Sequence, residues 1–150
     1  MTAGSVAQHV IAQAAVTEAL EAAVSHAEAI GARINVAIVD SGGNLAGFLR
    51  MPGAFLLSID LAIRKARSSA GTGLSPEAAD AVLAQEAARV REGLVADRGF
   101  VPIHGSFPLF DAGSMVGAIG VSGGAEAEDI ACCRAAIECL SMRYAISDTA

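Results

Sequence analysis

The sequence predicts an α+β domain built on an antiparallel sheet, and three observations carry that prediction. Two pairs of short β-branched runs are each joined by a tight, glycine-bearing turn, which is the pattern of a hairpin. Between and around them lie longer stretches whose apolar residues recur at the three-four step of a helix. No linker and no internal repeat interrupts the 150 residues, a length that suits one domain with a real core.

Residues 5–30 read as a long helix, with Val16, Leu20, Ala23, Ala27 and Ile30 on one face and Gly31 as its stop. Ile34–Val39 is the first strand, Asp40-Ser41-Gly42-Gly43-Asn44 a turn, and Leu45–Leu49 the returning strand. Met51-Pro52-Gly53 breaks the hairpin. Leu56, Ile59, Ile63, Ala66 and Ala70 then mark a helix that also carries Asp60, Arg64, Lys65 and Arg67 and ends at Gly71-Thr72-Gly73. Ser75 as N-cap and Pro76 at the first helical position open another helix, running to about Val90 and closed by Gly93. Residues 94–104 read as a loop with a short strand. Phe107–Asp111 and Ser114–Val121 form the second hairpin, turning at Ala112-Gly113. The last helix follows Gly124, with Ile130, Cys133, Ile137, Leu140 and Tyr144 in step.

Composition narrows the function. At 53% hydrophobic and 17% charged residues the chain is globular rather than disordered. A net charge of −6 argues against nucleic-acid binding, which needs a basic footprint, and gives no attraction to an acidic membrane. No run of about 18 apolar residues exists to span a bilayer. The opening MTAGSVAQHV lacks the basic and apolar regions of a secretory signal, so the expectation is a cytoplasmic protein. Cys132, Cys133 and Cys139 cluster on one predicted helix, where bridging geometry fails, and are expected as free thiols.

Two places carry convergent polar groups. On the charged helix, Lys65 shares a face with Ser68 and Ser69, and Arg64 can pair with Asp60. This is either a solvated charged face or, with Arg50 converging from the preceding strand end, a cationic site for a carboxylate. In GAIGVSGG, the glycine-rich passage from strand to helix is either a structural turn or a holder for a small carboxylate through Ser122 and the amides of Gly123 and Gly124. Glu126, Glu128 and Asp129 in the following turn complement the helix dipole and repel phosphate. The two stretches together predict one pocket per subunit, completed in an assembly by a neighbour. His9 and His26 lie seventeen residues apart on the first helix, and no histidine or cysteine pair has metal-ligand spacing, so no intrinsic metal site is expected. His104, alone in a loop, is a surface or capping residue, an axial heme ligand, or a general acid or base. Asp40 is a turn cap or a base at a pocket rim. Cys133 reads as a core residue, and Cys132 as lying on a neighbouring face open to a partner subunit.

The string VDSGGNL…RMPGA…SIDLAIRKARSSA, followed at the right separation by FPLFDAGSMVGAIGVSGGAEAED, resembles the GlcG/HbpS-like family. Related domains form the C-terminal part of PduO-type corrinoid adenosyltransferases. The resemblance spans nearly the whole chain. It implies a profilin-like version of the α+β fold, with about five strands and helices on both faces, and dimers assembling into larger rings, often octamers. It also implies heme or a related tetrapyrrole as ligand, with arginine and lysine holding propionates. Three positions depart from the family pattern: Ser68 stands for the usual threonine, Pro52 for an aspartate, and Gly105-Ser106-Phe107 for a double glycine before the proline. Beside the binding module stand two other readings. One is a cofactor-independent lyase, isomerase or hydrolase acting on a carboxylated metabolite, with Arg50 or Lys65 on the carboxylate and Asp40 or His104 moving a proton. The other is an assembly subunit with no ligand.

Overall fold

The computed structural model describes all of Met1–Ala150, and it is the α+β architecture the sequence predicts. Five helices and five strands occur in the order α1 (Gln13–Ile30), β1 (Asn35–Asp40), β2 (Leu45–Arg50), α2 (Leu57–Thr72), α3 (Pro76–Leu83), α4 (Ala88–Ala96), β3 (Ser106–Asp111), β4 (Ser114–Ser122), α5 (Glu126–Tyr144) and β5 (Ile146–Ser147). All pairings are antiparallel, in the order β2-β1-β4-β3-β5. The two hairpins therefore meet at β1 and β4, which form the centre of the sheet.

Alternation along β1 divides the core. Ile34, Val36 and Ile38 join Ile119 and Val121 of β4 in a cluster under α1 and α5, which pack on that face. Ala37, Val39 and Ala118 point the other way, into a smaller cluster with Ala62, Ala66 and Ala70 of α2. This second face is built from small residues so that α2 sits close. A Cβ on Gly120 would meet the Ala62 carbonyl oxygen and, at 2.6 Å, the Ala66 amide nitrogen. The turn between β3 and β4 places Ala112 at φ 47° and Gly113 at φ 81°, the two left-handed residues that a tight hairpin turn requires.

Several boundaries differ from the sequence reading. The first helix begins at Gln13 rather than near residue 5, because the preceding segment runs extended and Ile11 donates its N–H to the Val116 carbonyl. His9 therefore lies off the helix, and its carbonyl accepts from the Ser41 hydroxyl. The helix expected over 75–90 is two short ones. Ser75 caps the first as predicted, accepting from the Ala78 N–H, but that helix ends at Leu83 and α4 begins at Ala88. No strand forms over 94–104; α4 occupies part of it, and Phe100 and Val101 tuck into the body of the protein. On α2 the buried face is Ser58, Ala62, Lys65, Ala66, Ser68, Ser69 and Ala70, whereas Leu56 and Leu57 stand exposed at its start. The expected stripe placed Ala66 and Ala70 in the core with Ile63 against it, but not Leu56, because small side chains win wherever two backbones approach closely. Cys132 is fully buried beside Cys133 in the core under α5, not on a face open to a partner.

Packing at Gly120 makes a direct prediction. Gly120→Val should destabilise the fold by about 1–3 kcal/mol through overpacking against α2. Gly71→Ala, on the same helix with open space around it and ordinary helical backbone, should stabilise by about 0.5–1 kcal/mol. Urea midpoints of the two variants should move in opposite directions.

Candidate functional site

The site is built around a buried ion pair. Lys65 is 1% exposed. Its Nζ donates to the Val121 carbonyl at 2.8 Å and to Asp129 Oδ2 at 3.0 Å. Asp129, also buried, spends its other oxygen on the Gly124 N–H at 3.0 Å. One lysine thus joins α2 to the end of β4 and the first turn of α5. Gly105 covers the pair at φ 109°, and a Cβ there would lie 2.9 Å from Asp129 Cβ and 3.1 Å from Lys65 Nζ. The Lys65 side chain is therefore not part of a solvated face. Its charge is compensated within the protein, and one of its three N–H groups is left without a protein partner. Burial pushes the Asp129 carboxyl up from the usual carboxylate range, while Lys65 and the Gly124 N–H pull it down; burial prevails.

Of the two amides expected to hold an anion, that of Gly124 is likewise occupied. Gly124 donates to Asp129, and Ala125 donates to Glu128 Oε2 at 2.8 Å. Two N–H groups in the turn just before α5 are thus taken by that helix's own carboxylates, which also place negative charge at its start. Gly123 sits at φ 135°, with its Cα so close to Arg33 that a Cβ would meet the Arg33 carbonyl oxygen at 2.5 Å.

Above this floor opens a pocket of about 220 Å³ lined by Phe55, Ser58, Leu61, Lys65, Ile103, Ser122, Gly123, Gly124, Glu126 and Asp129. It shares Phe55, Gly123 and Gly124 with an adjoining depression of about 440 Å³, which adds Arg33, Gly53 and Glu128. Of the residues singled out in the sequence, the structure brings Lys65, Ser122, Gly123 and Gly124 into one pocket, between the charged helix and the GAIGVSGG turn. Arg50 does not line it: its Nη2 donates to the Ala54 carbonyl at 2.8 Å and shapes the loop that carries Phe55. Ser68 lies farther along α2, buried, with its hydroxyl accepting from the Val101 N–H at 3.0 Å. Ser69, next to it, donates to the Ser106 hydroxyl at 2.9 Å.

The two candidates for proton transfer lie elsewhere. Asp40 is at the far end of β1, about five residues or ~17 Å from the pocket end of that strand. It accepts from the Gly42 and Asn44 N–H groups and the Asn44 side-chain amide. Partial burial works to raise its pKa, but those donors outweigh it and hold the carboxyl below its usual range, as a turn cap. His104 places Nε2 3.1 Å from Asp80 Oδ2, and its N–H donates to Glu126, fastening α3 to the approach to β3.

Sequence reasoning missed Asn35, Arg33 and Phe55. Asn35 is fully buried opposite Ser122 in the sheet; its amide donates to the Phe55 carbonyl at 3.1 Å, and its Oδ1 has no partner. Ser58 and Ser122, both lining the pocket, make no side-chain hydrogen bond. A polar residue inside the apolar run INVAIVD was the available signal for Asn35. Phe55 is 70% exposed, beside Leu56 and Leu57.

A family model described as "Haem degrading protein HbpS-like" matches residues 11–138. The chain belongs to the HbpS-like family. Among curated proteins, it is 30% identical over 132 residues to an uncharacterized 15.0 kDa protein of the dhaT-dhaS intergenic region of Citrobacter freundii, covering 83% of this chain and 93% of that one. It is 28% identical over 122 residues to the corrinoid adenosyltransferase PduO of the same organism, across 81% of this chain but only 36% of PduO. Among solved structures, the PduOC:heme complex superposes with a TM-score of 0.82 at 25% identity, covering 94% of this chain and 99% of that one. HbpS itself superposes with a TM-score of 0.79 at 30% identity, covering 93% and 97%. No helix is long and apolar enough to cross a membrane.

Two outcomes follow from the buried floor. Gly105→Ala should destabilise the protein by about 2 kcal/mol or more, because the new methyl combines left-handed strain with intrusion on the Lys65–Asp129 pair; thermal unfolding reads it directly. The thiols should also separate. Burial, reinforced by Asp129 and Glu128, pushes Cys132 up to about 11, and burial pushes Cys133 higher still. At pH 8 the native protein should therefore react with a thiol reagent at the half-buried Cys139 alone, and at all three cysteines once unfolded. Native modification of Cys132 would contradict the packing described.

Proposed function

We propose that this HbpS-like chain binds heme or a related tetrapyrrole in the pocket over the Lys65–Asp129 pair. The observation that carries the reading is the rim. Phe55, Leu61 and Ile103 present apolar surface around a polar floor, and Arg33 stands exposed at the adjoining depression with its guanidinium unpaired. Burying exposed apolar side chains against a flat macrocycle is favourable at roughly 25 cal/mol per Å². A free guanidinium suits a propionate. Likeness to the PduOC:heme complex and to HbpS supports the same reading.

The residues fit the macrocycle and its carboxylates. Phe55, Leu61 and Ile103 would hold the ring, and Arg33 a propionate. The Ser58 and Ser122 hydroxyls and the third Lys65 N–H would order water or a polar ligand group beneath it. No histidine, cysteine, methionine or tyrosine lines either depression, and the Lys65 amine is held in its ion pair, so the lining leaves oxygen ligands for the iron. Heme bound there would supply redox chemistry at its iron. The chain's own part is to bind, orient and partly desolvate it. The alternative of a small proton-transferring enzyme draws no support from the pocket, because neither Asp40 nor His104 lines it.

Self-association belongs to the same proposal. Phe55, Leu56 and Leu57 are 70%, 72% and 85% exposed beside the pocket, a patch that a second copy would cover while completing the site. The expected homo-oligomer, with an octamer as its upper form, accounts for a chain this rich in apolar residues.

Hemin titration followed by the Soret band tests the binding reading. Saturable binding is expected, with affinity falling about tenfold in Arg33→Ala and more in Phe55→Asp, while Arg50→Ala, whose guanidinium is turned to the Ala54 carbonyl, changes it less. Metal-free protoporphyrin should bind within an order of magnitude of hemin, since the ring and carboxylates carry the contact. Absence of a Soret shift, or normal binding in both Arg33→Ala and Phe55→Asp, would overturn the assignment.

A further inference from the structure

Away from that pocket, a groove of about 280 Å³ lies where α2 meets the loop after α4, lined by Asp60, Arg64, Arg67, Arg98 and Gly99. None of these is apolar, and three are arginines, in a chain with ten basic residues and a net charge of −6. We propose that this groove is a binding site for a small phosphate-bearing dianion.

Arg64 and Arg67 are fixed in place by neutral acceptors, so they are oriented without being discharged. Arg64 donates through Nε and Nη2 to the Arg98 carbonyl, at 3.4 and 3.2 Å. Arg67 donates through Nε to the Gly43 carbonyl at 3.1 Å, leaving both its terminal nitrogens free. The Arg98 guanidinium makes no hydrogen bond or ion pair within the protein. Against three positive charges the groove holds one carboxylate, Asp60, which is largely exposed and stands 4.0 Å from Arg64. Asp97 lies outside the lining, where its Oδ1 accepts from the Gly99 N–H at 2.7 Å and offsets the arginines in part. The lining residues themselves carry an excess of two positive charges, which suits a dianion. Planar guanidinium forks with free terminal N–H groups pair with phosphate oxygens two at a time. A lining with no apolar residue excludes a ligand whose main contact is a ring or chain. The groove is thus chemically distinct from the apolar-rimmed pocket on the other side of α2's first turns.

The sequence spacing that puts Arg64 and Arg67 side by side is i, i+3 on α2. Two like charges at that spacing destabilise a helix slightly unless an anion lies between them. Arg98 is brought to the same place by the two bonds Arg64 makes to its carbonyl, so the loop is held against α2 by the site's own residue.

Calorimetric titration of the full chain with pyrophosphate and with inorganic phosphate, at low ionic strength, tests the proposal. One saturable site per chain is expected. Arg98→Ala and Arg67→Ala should each weaken it about tenfold or more, with native circular dichroism and unchanged hemin binding. Arg143→Ala, on α5 and outside the groove, should bind pyrophosphate like the parent chain. In amide NMR spectra, the shifts on adding pyrophosphate should centre on residues 64–67 and 98–99. Absence of saturable binding, an equal loss in Arg143→Ala, or shifts centred elsewhere would each overturn the proposal, since each would mean diffuse charge attraction or none.

Discussion

The contact on which the rest depends is the buried ammonium of Lys65. An ammonium and a carboxylate removed from water cost several kcal/mol apiece before their attraction is counted. Here the loss is offset by charge-assisted bonds to Val121 and Asp129, and by the Gly124 N–H on the carboxylate's other oxygen. Such a pair tolerates little displacement. It therefore fixes how α2 sits on the sheet, where β4 ends, and how α5 begins. The all-small face of α2 makes this possible. With alanine and serine against Gly120, the helix lies close enough for a lysine side chain to cross to β4 and α5.

That arrangement determines what the neighbouring pocket can do. The amides of Gly124 and Ala125, just before α5, are satisfied by Asp129 and Glu128, and the Lys65 cation is already paired. A glycine-rich turn before a helix often holds an anion, but this one is partly closed by its own acids. Ligand charge must be met at the rim, where Arg33 stands unpaired, and ligand bulk by the exposed side chains around Phe55. The floor offers two free serine hydroxyls beside the compensated pair, with the orphan Asn35 oxygen buried next to Ser122 in the sheet. A largely apolar molecule with carboxylates at one edge suits this division.

The fold was legible because its signals are local. Both hairpins announce themselves through turn chemistry at Asp40–Asn44 and Ala112-Gly113, and three helices through their apolar period. What escaped depends on contacts between distant residues. Periodicity assigned Ala66 and Ala70 to the core side of α2, where they lie, but also Leu56, which stands exposed; the tight approach at Gly120 is made by Ala62 and Ala66. Lys65 read as either a solvated charge or a free cation for a ligand carboxylate, because no local pattern shows a partner sixty-four residues away. The place of the pocket was readable from two polar blocks, and four of its lining residues with it. Arg33, Asn35 and Phe55 were not, since each is unremarkable in its own stretch and gains meaning only where β1, the loop before α2 and the β4–α5 turn converge.

The central claim, that the Lys65–Asp129 pair is one unit holding three elements in place, is tested most directly by a double-mutant cycle with Lys65→Met and Asp129→Leu, read by equilibrium unfolding. Each single change should destabilise by about 3–5 kcal/mol, because it leaves a buried charge alone. The double variant should recover at least ~2 kcal/mol relative to the sum. Additivity within about 0.5 kcal/mol would show that the two side chains act independently, and would contradict the account.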